Sequence, residues 1–300
     1  MKIAIIGGLG FVGTNLYFLL NKNHKITIID NYKIKTNIKF LKKAKVIKGD
    51  IKNLNFLRKN LTNFDIVINL AAQTGVLESN NNPVKSINEN IIGFYNILEI
   101  SKKNKIKTII NASTAGAIYG KTKKVCNEQS PTNPISYYGL TKKFNEDQSL
   151  INKNRKLKII NLRFSNVYGE FSIHKKSLIH NTIKNVIDNK NTNIYGDGNQ
   201  IRDFIYVGDL VKIIKKSFKL NSGIYNLASG KSHSVNSFIN IIKNIKFQPK
   251  IIYKSKKKGE VEEVRVNNKK ILHSLKIKNN FFINFEEGIK KTFNWYKNYY

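Results

Sequence analysis

The chain has 300 residues, 41% of them hydrophobic, which suits a folded core and excludes a disordered chain. It holds one cysteine, Cys126, which excludes an internal disulfide and a cysteine-based metal cluster, and no metal site is expected. The formal net charge is +34, but the lysines are spread throughout, with no zinc-finger spacing, aromatic RNA-binding signature or basic-leucine heptad; nucleic acid is not expected, whereas anionic substrates are.

The chain opens MKIAIIGGLGFVG. A secretion signal would end in a cleavage site before an independent domain, but here a second strand, ITIID, follows at once. No run approaches roughly 18 apolar residues, so no membrane span is expected and a reducing, cytoplasmic setting fits. Lys2 to Ile6 reads as a buried strand and Thr14 to Leu20 as a helix with an apolar face. The glycines between them fit two registers, Gly8/Gly10/Gly13 and Gly7/Gly10/Gly13. Either makes a tight turn that brings backbone, with Phe11 and Val12, close to a pyrophosphate at a helix N-terminus. Asp30 closes the second strand, where a carboxylate holds a ribose and repels a 2′-phosphate; NAD is therefore expected over NADP, with Lys33 opposing.

The alternation continues. KVIKGDI, DIVINLAA, KTIINAST and LKIINLRFSNVYG read as further strands. Helices are expected from Pro83 through Glu99 and from about Ser136 to Asn154. This pattern predicts an α/β, Rossmann-type doubly wound parallel sheet over residues 1–165, with a returning segment at about 203–228. Residues 166–300 are expected to form mainly a smaller, interleaved substrate-binding lobe, ending in a helix over about Phe285–Asn298.

Tyr138-Gly139-Leu140-Thr141-Lys142 places a phenol and an ammonium on one helical face. A nearby ammonium lowers a tyrosine pKa toward the range of a useful base. Ser113-Thr114, at the end of KTIINAST, would bring a hydroxyl to the same crevice.

The ordered set GGLGFVG, VINLAAQTGV, STAGAIYG, PISYYGLTK, LRFSNVYG, RDFIYVGD and YNLASG resembles the extended short-chain dehydrogenase/reductase family. That family comprises NAD-dependent nucleotide-sugar epimerases and dehydratases, and the pattern resembles its UDP-sugar 4-epimerases. The resemblance implies Tyr138 as the base, Lys142 as its partner on the nicotinamide ribose and Thr114 as the hydroxyl, with Ser113 the alternative. It implies cofactor contacts from Gly7, Gly10, Phe11, Val12, Gly13, Asp30, Asp50, Ile51, Ala71, Ala72 and Asn90. It implies substrate contacts from Asn166 and Arg202, and places Tyr206 near the base. Lys257 stands where some epimerases carry arginine, keeping the charge without the bidentate fork. Asn69 replaces the histidine many members place before the alanine pair.

Dehydratases and decarboxylases of this family carry an acid just after the Ser/Thr, but here that segment is Ala115-Gly116-Ala117. The expected reaction is therefore epimerisation of a nucleotide sugar at C4. The alternatives are a dehydratase or reductase of the same family, and a non-catalytic NAD- or RNA-binding protein on this scaffold. The resemblance also implies a homodimer joined through the helix after Pro83 and the helix of Tyr138. Ile87, Ile91, Phe94 and Leu98 are the expected contacts.

Overall fold

Isoleucine and valine runs without polar breaks form strands whose two faces are both covered. The computed structural model describes residues 1–34, 37–152, 156–245, 248–256 and 261–300. The first six strands are β1 (Lys2–Ile6), β2 (Lys25–Asp30), β3 (Lys45–Lys48), β4 (Ile66–Asn69), β5 (Thr108–Thr114) and β6 (Lys158–Phe164). They are followed by β7 (Asn166–Tyr168), β8 (Asn191–Tyr195), β9 (Ile201–Tyr206), β10 (Gly223–Leu227), β11 (Ser232–Ser234) and β12 (Lys250–Lys254).

Seven strands form a parallel sheet in the order β10-β6-β5-β4-β1-β2-β3. The order reverses between β1 and β4, so a crevice opens beyond the C-terminal ends of those strands. Ile3, Ile5, Ile28 and Ile68 pack on one face, against Leu16 of the Phe11–Leu20 helix and Leu210 of the Val207–Lys216 helix. Ala4, Ile6, Ile29 and Val67 pack on the other, against Leu57 of the Leu54–Asn60 helix and Phe94 of the Gly93–Lys103 helix. The expected doubly wound sheet is the one that forms.

The smaller part has a three-stranded sheet, β11-β9-β7, a parallel β8/β12 pair and a separate core around Ile183, Phe238, Ile289 and Phe293. β10 returns to the central sheet beside β6.

The stretch after Pro83 is not one regular α-helix. It runs α over Pro83–Ser86, π over Ile87–Ile92 and α again over Gly93–Lys103, and the Gly93 N–H donates to the Asn88 carbonyl five residues back. Such a widened turn often marks a functional position.

Three asparagines lie in register across the sheet, Asn69 opposite Asn111 and Asn111 opposite Asn161. Asn69 Nδ2 donates to Asn111 Oδ1 and Asn111 Nδ2 to Asn161 Oδ1, each at 2.9 Å. Asn69 is thus a buried amide joining strands. Asn111→Ala strips both neighbours of a partner, so about 2–3 kcal/mol of stability should be lost. Urea unfolding measures it; a change below about 0.5 kcal/mol, the range of ordinary surface substitutions, would contradict the bonding.

Candidate active site

The glycine turn lies between β1 and the Phe11–Leu20 helix. Gly7 has φ +76°, and a Cβ there would sit 2.7 Å from the Ala71 backbone nitrogen. Gly7, Gly10 and Gly13 line the crevice, whereas Gly8 packs on Ile28. Of the two registers, Gly7/Gly10/Gly13 is the one whose three members all face the crevice. The helix begins on Gly10 with no side chain capping it and no acid in its first turn. Its free N–H groups suit an anion.

At the end of β2, Asp30 accepts from the N–H groups of Leu9 (3.1 Å) and Tyr32 (2.8 Å), which fixes the carboxylate and leaves lone pairs for a ribose. Burial pushes its pKa up, partly offset by those N–H groups. Lys33, expected to oppose Asp30, is ion-paired with Glu89. Asp50 accepts from the Lys52 N–H at 2.9 Å.

A cavity of about 490 Å³ joins these groups to the catalytic candidates. Gly7, Gly10, Phe11, Val12, Gly13, Asp30, Asp50, Ile51, Ala71 and Ala72 all line it. So do Ser113, Thr114, Tyr138, Lys142 and Asn166. The residues present fit a dinucleotide: a helix N-terminus without a competing acid, a fixed carboxylate for ribose and a glycine-lined approach.

The Tyr137–Ile151 helix starts on Ser136, whose Oγ accepts from the Gly139 N–H at 3.1 Å. Thr114 lies beside the Tyr138 hydroxyl and favours its ionised form, and both line the crevice. Burial pushes Tyr138 up to about 12, so the expected lowering by Lys142 is not what this geometry produces. The Lys142 ammonium donates instead to the Ala112 carbonyl at 2.8 Å, 5.9 Å from the Tyr138 ring centre, and burial brings it down to about 8.

Ser113 faces a different partner. Its Oγ donates to Glu146 Oε1 at 2.6 Å. Glu146 also accepts from Arg163, Nη2 at 2.7 Å and Nε at 2.9 Å, and Arg163 Nη1 donates to the Tyr119 hydroxyl at 2.8 Å. The whole network is buried. Of the two candidate hydroxyls, Thr114 is the one beside the tyrosine, whereas that of Ser113 is held by Glu146. The only local sign of Glu146 was its position four residues after Lys142, on the same helical face.

Three expected contacts are placed elsewhere. Asn90 does not line the crevice: its Oδ1 accepts from the Gln73 N–H at 2.8 Å, and its Nδ2 donates to the Gln73 carbonyl and Thr141 Oγ1. It braces the crevice wall against the catalytic helix. Arg202 also lies off the lining, its Nη1 donating to the carbonyls of Ile201 (2.9 Å) and Glu262 (3.0 Å). Tyr206 donates to Glu170 at 2.6 Å and packs on Tyr168, so it does not face the base. Lys257 lies outside the described residues.

Sequence reasoning missed the loop 170–177, which brings His174, Lys175 and Ser177 to the crevice. No carboxylate among the described residues pairs with Lys175, and burial lowers its pKa. Asn15 and Asn37 donate to the carbonyls of Glu170 and Phe171, at 2.9 and 3.0 Å. From behind, the Tyr296 hydroxyl bonds Ser172 Oγ (2.8 Å) and His180 Nδ1 (2.6 Å).

A glycine turn at a sheet's switch point, with tyrosine, lysine and threonine in one crevice, defines a dinucleotide-binding enzyme of the tyrosine–lysine type. The chain belongs to the NAD dependent epimerase/dehydratase family, whose model matches residues 3–228. It is 37% identical over 303 residues to a Methanocaldococcus jannaschii protein provisionally named a UDP-glucose 4-epimerase, covering 99% of this chain and 98% of that one. Among solved structures it is similar to the UDP-glucose 4-epimerase of Thermotoga maritima with UDP-glucose: TM-score 0.94, 27% identity, covering 100% and 99% of the two chains. The UDP-glucuronic acid 4-epimerase of Bacillus cereus, in complex with UDP-glucuronic acid and NAD, is similar at TM-score 0.90 and 25% identity, with both chains covered in full.

Proposed function

We propose that this protein is an NAD-dependent UDP-sugar 4-epimerase. The observation that carries the reading is the meeting of Thr114, Tyr138 and Lys142 in one crevice, with no acid in the adjoining Ala115-Gly116-Ala117. NAD, when bound, supplies a reversible acceptor for the C4 hydride. Tyr138, once ionised, would take the proton of the sugar 4-hydroxyl and later return it; the Lys142 ammonium, the neighbouring Thr114 hydroxyl and the positive charge of a bound oxidised cofactor would favour that ionised form. Lys142, anchored on Ala112, stands beside the phenol where a cofactor ribose would lie. Elimination of water needs a further acid, and the buried carboxylate beneath the site, Glu146, is bound to Arg163 and Ser113.

Asn166 and Lys175 line the substrate side and supply an amide and a positive charge for an anionic sugar nucleotide. The overall positive charge then assists the arrival of anionic substrate. A cytoplasmic location, with Cys126 kept reduced, accords with this chemistry; no helix among the described residues is long and apolar enough to cross a membrane. The test is incubation with UDP-glucose, UDP-glucuronic acid and UDP-N-acetylglucosamine, with products read by NMR. The expected result is a C4-inverted product of unchanged mass and no net use of NAD. A product lighter by one water would overturn the epimerase reading and leave the family standing.

The same reading includes a homodimer, through side chains that match the expected set only in part: Ile87 is exposed (39%) and Ile91 half-buried. Phe94 and Leu98 are fully buried within the monomer. Val84 (65% exposed), Tyr95 (47%), Leu140 (51%) and Phe144 (45%) instead put apolar surface into water on the same two helical segments. Leu140→Asp with Phe144→Lys should yield a monomer by light scattering at micromolar concentration. A wild-type monomer at that concentration would remove the dimer from the proposal.

A further inference from the structure

Lys33 and Glu89 face each other at the crevice, and their pairing bears on which cofactor is accepted. Lys33 lies on the loop that follows Asp30, the last residue of β2, and Glu89 stands on the π turn Ile87–Ile92, 56 residues later in the chain. Both line the crevice, and Lys33 Nζ is ion-paired with Glu89 Oε1. Glu89 is the more buried of the two. Among the described residues no other carboxylate pairs with Lys33. The nearby Lys52 lies 3.6 Å from Asp50, and Lys48 lies over the Tyr32 ring at 5.9 Å.

A 2′-phosphate would bring nearly two negative charges and three acceptor oxygens. Asp30 repels it, but a free ammonium three residues further along the same loop would offset that repulsion. We propose that Glu89 is a second determinant of cofactor choice, acting by holding the Lys33 ammonium away from the 2′ position. The ammonium is then neutralised across the crevice, and the charge presented to the ribose is that of Asp30.

The test is equilibrium dialysis of the full chain against NAD and against NADP, at fixed ionic strength. Glu89→Gln keeps the shape and removes the charge. It should raise the ratio of NADP to NAD affinity on the order of tenfold, the usual effect of freeing one charge-assisted hydrogen bond. Retained NAD binding also reports that the variant has folded. Adding Lys33→Met to that variant should cancel the gain, because the liberated ammonium is then gone. An unchanged ratio in Glu89→Gln would overturn the proposal, even if both affinities fell together. A gain that persists in the double variant would overturn it too, by tracing the effect to lost repulsion alone.

Discussion

Tyr138→Phe is expected to retain the fold and NAD binding while turnover falls roughly 10²–10⁴-fold, the usual contribution of a positioned general base. The substitution removes one hydroxyl from a half-buried ring that otherwise keeps its place at the start of the Tyr137–Ile151 helix. The helix keeps its Ser136 cap, and Lys142 keeps its bond to the Ala112 carbonyl, so neither depends on the phenol. Without the hydroxyl the 4-OH proton has no acceptor. Thr114→Ala should cost less, since it removes the partner of the base and not the base. Ser113→Ala should cost least, because Glu146 retains Arg163. NMR rates of C4 inversion with the three variants measure the order. A Ser113→Ala loss larger than that of Thr114→Ala would contradict the geometry.

Glu146→Leu is expected to lower stability by about 3–5 kcal/mol, the cost of leaving a buried charge unpaired. Arg163 would lose its carboxylate contacts while staying buried, keeping its bond to the Tyr119 hydroxyl. Lys142, also buried and one helical turn away, would lose the negative charge that favours its protonated form. Two cations would then share a pocket that had one compensating anion. Pairing Glu146→Leu with Arg163→Met removes both charges and should recover most of the stability, since apolar replacement of a buried ion pair is often neutral or better. Urea denaturation of the single and double variants decides this. A single-variant loss below about 1 kcal/mol, the range of an exposed ion pair, would show that the pair is solvated.

The central sheet was legible because each of its first strands is a run of apolar residues bounded by a turn, and the glycine turn could be placed by its flanking strand and helix. Tyr138 and Lys142 were legible because their spacing is a property of any helix. The Ser113–Glu146–Arg163–Tyr119 network was not, because it joins residues up to 44 positions apart with no local periodicity to report them. β7 and β11 are three residues long and escape any pattern of alternation. Phe94 and Leu98 read as interface residues because the family resemblance put a dimer on this helix and their spacing suited one face, but spacing cannot say which partner covers a face; here the sheet covers it. Asn90, inside the widened turn, is bonded to Gln73 and Thr141, partners that no reading of its own segment contains.

The asparagine ladder bears on how the chain finds its alignment. Isoleucine-rich strands offer many nearly equivalent pairings, and slipping one strand by a single residue turns its side chains to the opposite face. For β4, β5 or β6 such a slip would carry an amide away from its mates and leave it unpaired among hydrocarbon side chains, a penalty that a strand made only of isoleucine would not meet. The three amides thus discriminate between alignments that apolar packing alone would tolerate. They are a selective mark written into the middle of an otherwise repetitive sheet.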